Sequence, residues 1–552
     1  MASVPDVPAR PPRRLVRIEG DRGPSLAEKL SLELGRLSHG TLIHRLRLRG
    51  RFPAQLHGRP IDPFPGDAAR GHAILSARAH GRGPMGAPPE QWIADTHRFD
   101  WLRDVAAADP NGLRAQVEPL LRAWLARFGH YHPLAWRPDL LGARTLAFVL
   151  HAPALLATPD LVHRSALLGT LARGTRHLAT TLGQAPEGMP RLAACTGAIA
   201  GALLVPHCEA DLARAERMFA RTLDAFVGPD GGVASRSPID MVETLELLVT
   251  LGACYAARAR PLPAGHRAAR ARLAPAIAGL TLAGGMLAAF HGGVALPAAR
   301  VRRALLLAEA RDRPPAPPAG FLRLEAGATA LVLDAGPPPE SRLSHGAHAG
   351  TLAFELSDGA HPLIVNCGGA RGGFRAPPGE LGAVLRATAA HSTLVVADTN
   401  STRLRDDGRL GAGVAEVYAT LEDHPQGLLA EARHDGYAAR FGLVHRRRLF
   451  LAQGGRDLRG EDLLEPAGRR RPPAAPYDIR FHLAPGVAAE PARGGAILTH
   501  PGGRWRFAAR GAEFGLEDSL VFAASGRVER TQQLVLSGHG PGTAIWSLRA
   551  LD

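Results

Sequence analysis

The feature that most constrains this chain is a change of hydrophobic period near residue 315. From about residue 99 to 310 the apolar positions, mostly Ala and Leu, recur at helical spacing, with few β-branched residues. The spacing predicts helices over 100–128, 138–156, 159–182, 189–204, 209–226, 238–259 and 265–290. Many open on a Pro-Asp, Asp or Ser signal and close on Gly or Pro, as helix ends require. Short connections between them favour antiparallel hairpins. The segment RDRPPAPPAG, 311–320, cannot continue a helix, because proline removes a backbone donor and clashes with the preceding turn.

Beyond this linker the period is two. In TLAFELSDGAHPLIVN, Leu352, Phe354 and Leu356 alternate with Ala353, Glu355 and Ser357; Asp358-Gly359 supplies a turn and Leu363–Val365 the returning strand. Further strands are predicted at HSTLVVAD, HRRRLFLA, YDIRFHLAPG, GRWRFAAR, LEDSLVFAA, TQQLVLSG and AIWSLRAL. Many short strands without intervening helices imply an antiparallel sandwich. The expected layout is α+β with two domains. An irregular N-terminal arm over the helical part (1–90) precedes a helical domain (91–310), the linker (311–320) and a sandwich domain (321–552). The 552-residue length alone would permit three or four domains.

Composition excludes several classes. Cys195, Cys208, Cys254 and Cys367 have no C-x-x-C spacing, which argues against a zinc ribbon, a thioredoxin-type site or a disulfide framework. The net charge is +15, and 65 of the 66 basic residues are arginine, a bias that a G+C-rich coding sequence also produces. Without a nucleic-acid module or an aromatic-interleaved basic stripe, this charge does not predict nucleic-acid binding. The start, MASVPDVPARPPRRLVRIEG, lacks the apolar run of an ordinary signal peptide, so the sequence by itself predicts a cytoplasmic protein. The most apolar stretch, 271–291, is broken by glycines and is expected to be a buried helix, not a membrane span. Gly-x-Ser-x-Gly, a P-loop and a Rossmann glycine fingerprint in context are all absent.

Histidine, with 24 copies, is the informative residue type. A hairpin centred on Asp358-Gly359 brings His348 and Asn366 to one open end, with His345 a step further out. His391, opening the strand of RATAAHSTLVVAD, can reach the same end. Two neutral imidazoles and an amide oxygen there suit a divalent-metal site or a general acid/base site. Surface or capping histidines, and an Asn366 engaged in turn chemistry beside Cys367-Gly368-Gly369, are the competing readings. Cys367 reads as a small buried hydrophobe. Arg386 is either a grip for an anionic substrate or a solvated cation. In the loop GPDGGVASRSP, 228–238, Arg236 suits a carboxylate or sulfate. Tyr437 and His445 flank another hairpin.

The order and wording of AHAGTLAFELSDGAHPLIVNCGG, LRATAAHSTLVVADTNS, HDGYAARFGLVHRRRLFL and DIRFHLAPGV resemble the heparinase II/III-like family of polysaccharide lyases. FDWLRDVAA, LAWRPDLLGARTLAFVLHAPALL and PDGGVASRSP resemble that family's helical domain. The resemblance implies an incomplete (α/α) toroid followed by a C-terminal antiparallel β-sandwich. It also implies β-elimination on uronate-containing acidic glycans of the heparan or alginate type, with a Tyr or His as base and the carboxylate charge neutralised. His348 matches the second histidine of the family's H-x-H-A-D, tied to a structural metal, while Gly346 stands where the first, catalytic histidine belongs and His345 is adjacent. Asn366 replaces a metal-binding aspartate, and His391 matches the histidine of A-H-N-T. The implied catalytic set is therefore His345, His348, His391 and Arg236. The implied metal set is His348, Asn366 and His391, with zinc in doubt because neutral Asn is a poor ligand. No tyrosine occurs in 228–238.

The expected partner is an acidic polysaccharide, concentrated by the arginine-rich surface, and by resemblance the expected location is the cell envelope or periplasm. A catalytically degenerate glycan-binding or envelope-assembly protein on the same scaffold is the rival expectation.

Overall fold

In a computed structural model of the chain, residues 14–17, 41–79, 94–309, 316–371, 377, 380–469 and 472–551 are described. They group into two compact units. One joins 1–21, 228–242 and 272–552; the other joins 22–227 and 243–271. Secondary structure thus changes type at the proline-rich linker, whereas packing attaches 228–242 and 272–309 to the strands.

The helical unit is built on small residues that let helices approach closely. Helix Pro138–Leu150 opens with proline in its first turn and crosses Met189–Leu204. At that crossing a Cβ on Gly197 would run into the Gly142 backbone, so glycine is required there. Helix Leu161–Thr181 starts where the Asp160 carboxylate accepts the Val162 and His163 amides. The helix expected over 100–128 is two, Leu102–Ala108 and Leu113–Phe128, because the Asp109 side chain accepts the Gly112 amide in the intervening turn. Residues 41–79, within the expected irregular arm, include helices Leu42–Arg47 and Ala68–Ala79. Strand Arg14–Arg17 pairs with Glu416–His424 of the sandwich instead of lying over helices.

The strand unit contains two large antiparallel sheets. One runs Arg14–Arg17, Glu416–His424, Gly427–His434, Leu443–Ala452, Asp457–Pro466, Gly542–Leu551, Gly503–Arg510, Gly495–His500, Ala488–Ala492. The other runs Glu513–Phe522, Val528–Gly540, Ala475–Leu483, His361–Val365, Phe354–Asp358, Thr329–Asp334, Phe321–Ala326, with Leu394–Val396 also paired to Ala475–Leu483. Aromatic side chains from both fill the core: Trp546 stacks on Phe354 and meets Phe481 edge-on.

Two expectations need correction. The hairpin turns at Gly359-Ala360, with Asp358 opposite His361, one residue beyond the expected centre. The helix expected over 265–290 ends at Gly279, and Gly284 and Gly285 disfavour its continuation. Residues 280–297 instead form a strap across the sheet, where the Ala283 amide donates to Ser357 Oγ and the Ala289 amide to Glu355 Oε2. This strap buries the strand face that alternation alone would leave to solvent, so Glu355 and Ser357 are each only 1% exposed.

Candidate functional site

His348 precedes strand Phe354–Asp358, and His391 follows the short 3-10 turn Thr388–Ala390. The fold brings them together as expected. Their rings meet edge-on, with His348 Nδ1 2.9 Å from His391 Nε2. His391 Nδ1 lies 2.8 Å from the Ala387 carbonyl, which can only accept, so Nδ1 carries the proton. His391 Nε2 is then the acceptor and His348 Nδ1 the donor. Both rings are buried and neutral. Burial lowers His391 to about 4 and, with the neighbouring His391, holds His348 well below the ordinary imidazole range.

Asn366 lies in the same region but turns to other partners. Its Oδ1 accepts the Ser392 amide at 3.0 Å, and its Nδ2 donates to the Ala289 carbonyl at 3.1 Å and to Glu355 Oε1 at 3.3 Å. Glu355 also accepts the Asn366 and Ala289 amides; burial nevertheless raises its carboxyl to about 7. The Asn366 oxygen is committed, and among the described residues no group of three or more His, Cys, Asp or Glu side chains is arranged to hold a metal ion.

Arg236 corrects another expectation. Its guanidinium donates to Asp334 Oδ1 at 2.7 Å, to the Gly320 carbonyl at 2.7 Å and to the Pro337 carbonyl at 2.5 Å, and it lies over the Phe321 ring. These partners leave a structural clamp, not an open grip for substrate. Burial favours the neutral Asp334 carboxyl, but Arg236 and His291 outweigh it and hold its pKa below the usual range. Tyr437 is also spent structurally: its hydroxyl donates to the Leu394 carbonyl, and burial pushes its pKa up.

His345 is exposed and stands apart from the His348–His391 pair's hydrogen bonds. Partial burial and the positive charges of Arg371, Arg386 and Arg409 lower its pKa, against a smaller opposing effect of Asp407. Arg371 pairs with Asp240 at 2.6 Å and donates to the His345 carbonyl. Arg386 Nε donates to the Ala347 carbonyl, whereas its Nη2 is buried without a hydrogen-bond partner. This rim can neutralise carboxylate or sulfate groups. Sequence reasoning missed Glu355, His291, Asp334, Asp240 and Arg371. A charged residue interrupting an apolar strand was the available signal for the first and third.

The sequence model of the heparinase II/III-like C-terminal domain matches residues 308–548. A curated relative, FtsZ-localized protein C of Caulobacter vibrioides (strain NA1000 / CB15N), is 34% identical over 486 residues, covering 83% of this chain and 82% of that protein. The chain belongs to the heparinase II/III-like family. Solved structures agree on the fold of this family member. Heparinase III superposes with TM-score 0.69 at 11% identity, over 92% of this chain and 89% of that one. Heparan sulfate lyase HepC from Pedobacter heparinus gives 0.53 at 15%, over 95% and 88%. Such low identities speak to fold alone: a helical toroid region followed by a β-sandwich. One departure in this family member stands against the histidine pair. At Gly350, where resemblance leads to an aspartate, any Cβ would run into the His391 ring. Among the described residues no helix is long and apolar enough to cross a membrane.

Proposed function

We propose that this family member binds acidic glycan strands without cleaving them and serves envelope assembly at the division site. The observation that carries the reading is the split between its histidines. His348 and His391 are buried, neutral and bonded to each other, while the exposed His345 sits in a field of three arginines. β-Elimination needs a base, a proton donor for the leaving oxygen and a neutralised carboxylate. The rim supplies charge neutralisation. No tyrosine stands in 228–238, and Arg236 is held by Asp334. The division-site part rests on the relative named for its localisation with FtsZ, to which the chain is 34% identical. The net charge of +15 favours polyanions.

A second reading has its own support. Partial burial and then the nearby arginines lower the pKa of His345, which favours the unprotonated imidazole that a general base requires, so slow elimination is the competing outcome. Incubation with heparan sulfate, alginate and isolated cell-wall glycan separates the two. Salt-sensitive binding in calorimetry, with no rise in the ultraviolet absorbance of unsaturated uronate, is expected. An absorbance rise that His345→Ala abolishes would establish the lyase instead. A fluorescent fusion is expected to gather with FtsZ at midcell; diffuse signal would remove the division-site assignment.

A further inference from the structure

The amide at 366 is more than a weakened metal ligand. Asn366 sits where three segments meet: the strap 280–297, the end of strand His361–Val365, and the segment carrying His391 and Ser392. Its carbonyl oxygen holds the Ser392 amide, and its NH2 holds the Ala289 carbonyl and Glu355 Oε1. Ser392 continues the tether, donating from Oγ to the Val365 carbonyl at 2.7 Å and accepting the His482 amide at 3.0 Å. On the far side, Arg447 Nη1 donates to the Ser392 and Leu352 carbonyls. An aspartate at 366 would face two acceptors, Ala289 O and Glu355 Oε1, with no proton to offer either. The Glu355 carboxylate is directed to the Asn366 and Ala289 amides, and Asp334 is held by Arg236 and His291, so neither is bonded to the histidine pair. Gly350 leaves no room for another side chain beside His391.

We propose that this region is metal-independent, and that Asn366 acts as a positioning residue, cross-linking with hydrogen bonds the segments that a bound ion would otherwise hold. It needs an amide, donor on one side and acceptor on the other, and a carboxylate does not replace it. The full chain, purified without added metal, is expected to carry well under one zinc per chain by elemental analysis. Its melting temperature is expected to be unchanged by EDTA or by added zinc. Asn366→Asp is expected to melt about 5 °C lower, and zinc is expected not to restore it. Near-stoichiometric zinc in the wild type, removed by EDTA with a fall in melting temperature, would overturn the proposal. So would a zinc-dependent recovery of Asn366→Asp. The wild-type arm decides the matter even if the variant does not fold.

Discussion

Two regions of the strand unit, close together in sequence, use the same residue types in opposite ways. Around His348, His391, Asn366, Glu355, Asp334 and Arg236, nearly every polar group is buried and answered by a named partner. Around His345, Arg386 and Arg409 the side chains are wholly or partly open to solvent. The difference teaches where binding chemistry can reside. A buried network satisfied from within holds its loops in place, while a cationic rim open to solvent invites an anion.

The sharpest way to break the buried side is Asp334→Ala. It strands the Arg236 guanidinium and His291 without their carboxylate, a change expected to cost about 3–5 kcal/mol. Urea unfolding followed by circular dichroism measures it; a loss under 1 kcal/mol would mean the clamp is not holding this region.

Lowering the pH tests the same side next. His391 and His482 have folded-state values of about 4 and about 3, below the ordinary imidazole value near 6.5, chiefly through burial. Between those values the unfolded chain binds more protons. The stability these rings contribute is therefore complete above about pH 6.5 and lost as pH falls towards 4 and 3. Across that window His391 contributes on the order of 3 kcal/mol and His482 on the order of 5 kcal/mol. Glu355, raised to about 7, runs the other way, since protonation favours its folded form between about pH 4.5 and 7. Unfolding curves from pH 7 to 4.5 should accordingly be flatter for His482→Leu than for wild type. Equal slopes would show that the imidazole is not held neutral.

The smallest effect belongs to the rim. Arg409→Gln should change stability by less than about 1 kcal/mol, because a partly exposed surface charge contributes little. Affinity for heparan sulfate at low salt should fall a few-fold, with a shallower salt dependence, as titration calorimetry would report. A large stability loss with unchanged affinity would erase the contrast between the two regions.

Much of this was legible in the sequence. The period change around RDRPPAPPAG separated helices from strands, and two histidine clusters 43 residues apart met as a 2.9 Å pair. Other features were hidden because their partners are distant. Arg236 is answered by Asp334, 98 positions away, and Asn366 by Ala289, 77 positions away. Alternation in FELSD placed Glu355 on a solvent face, since nothing local announces the strap that covers it.

The sequence by itself determined which elements form, because spacing and turn residues act over a few positions. It also determined the aspartate, tyrosine and histidine missing from the resembled motifs. Only the tertiary structure decided what the remaining groups do. Hydrogen-bond partners and burial come from distant segments, and these turned Arg236 into a clamp, Asn366 into a tether and His345 into an exposed imidazole among arginines.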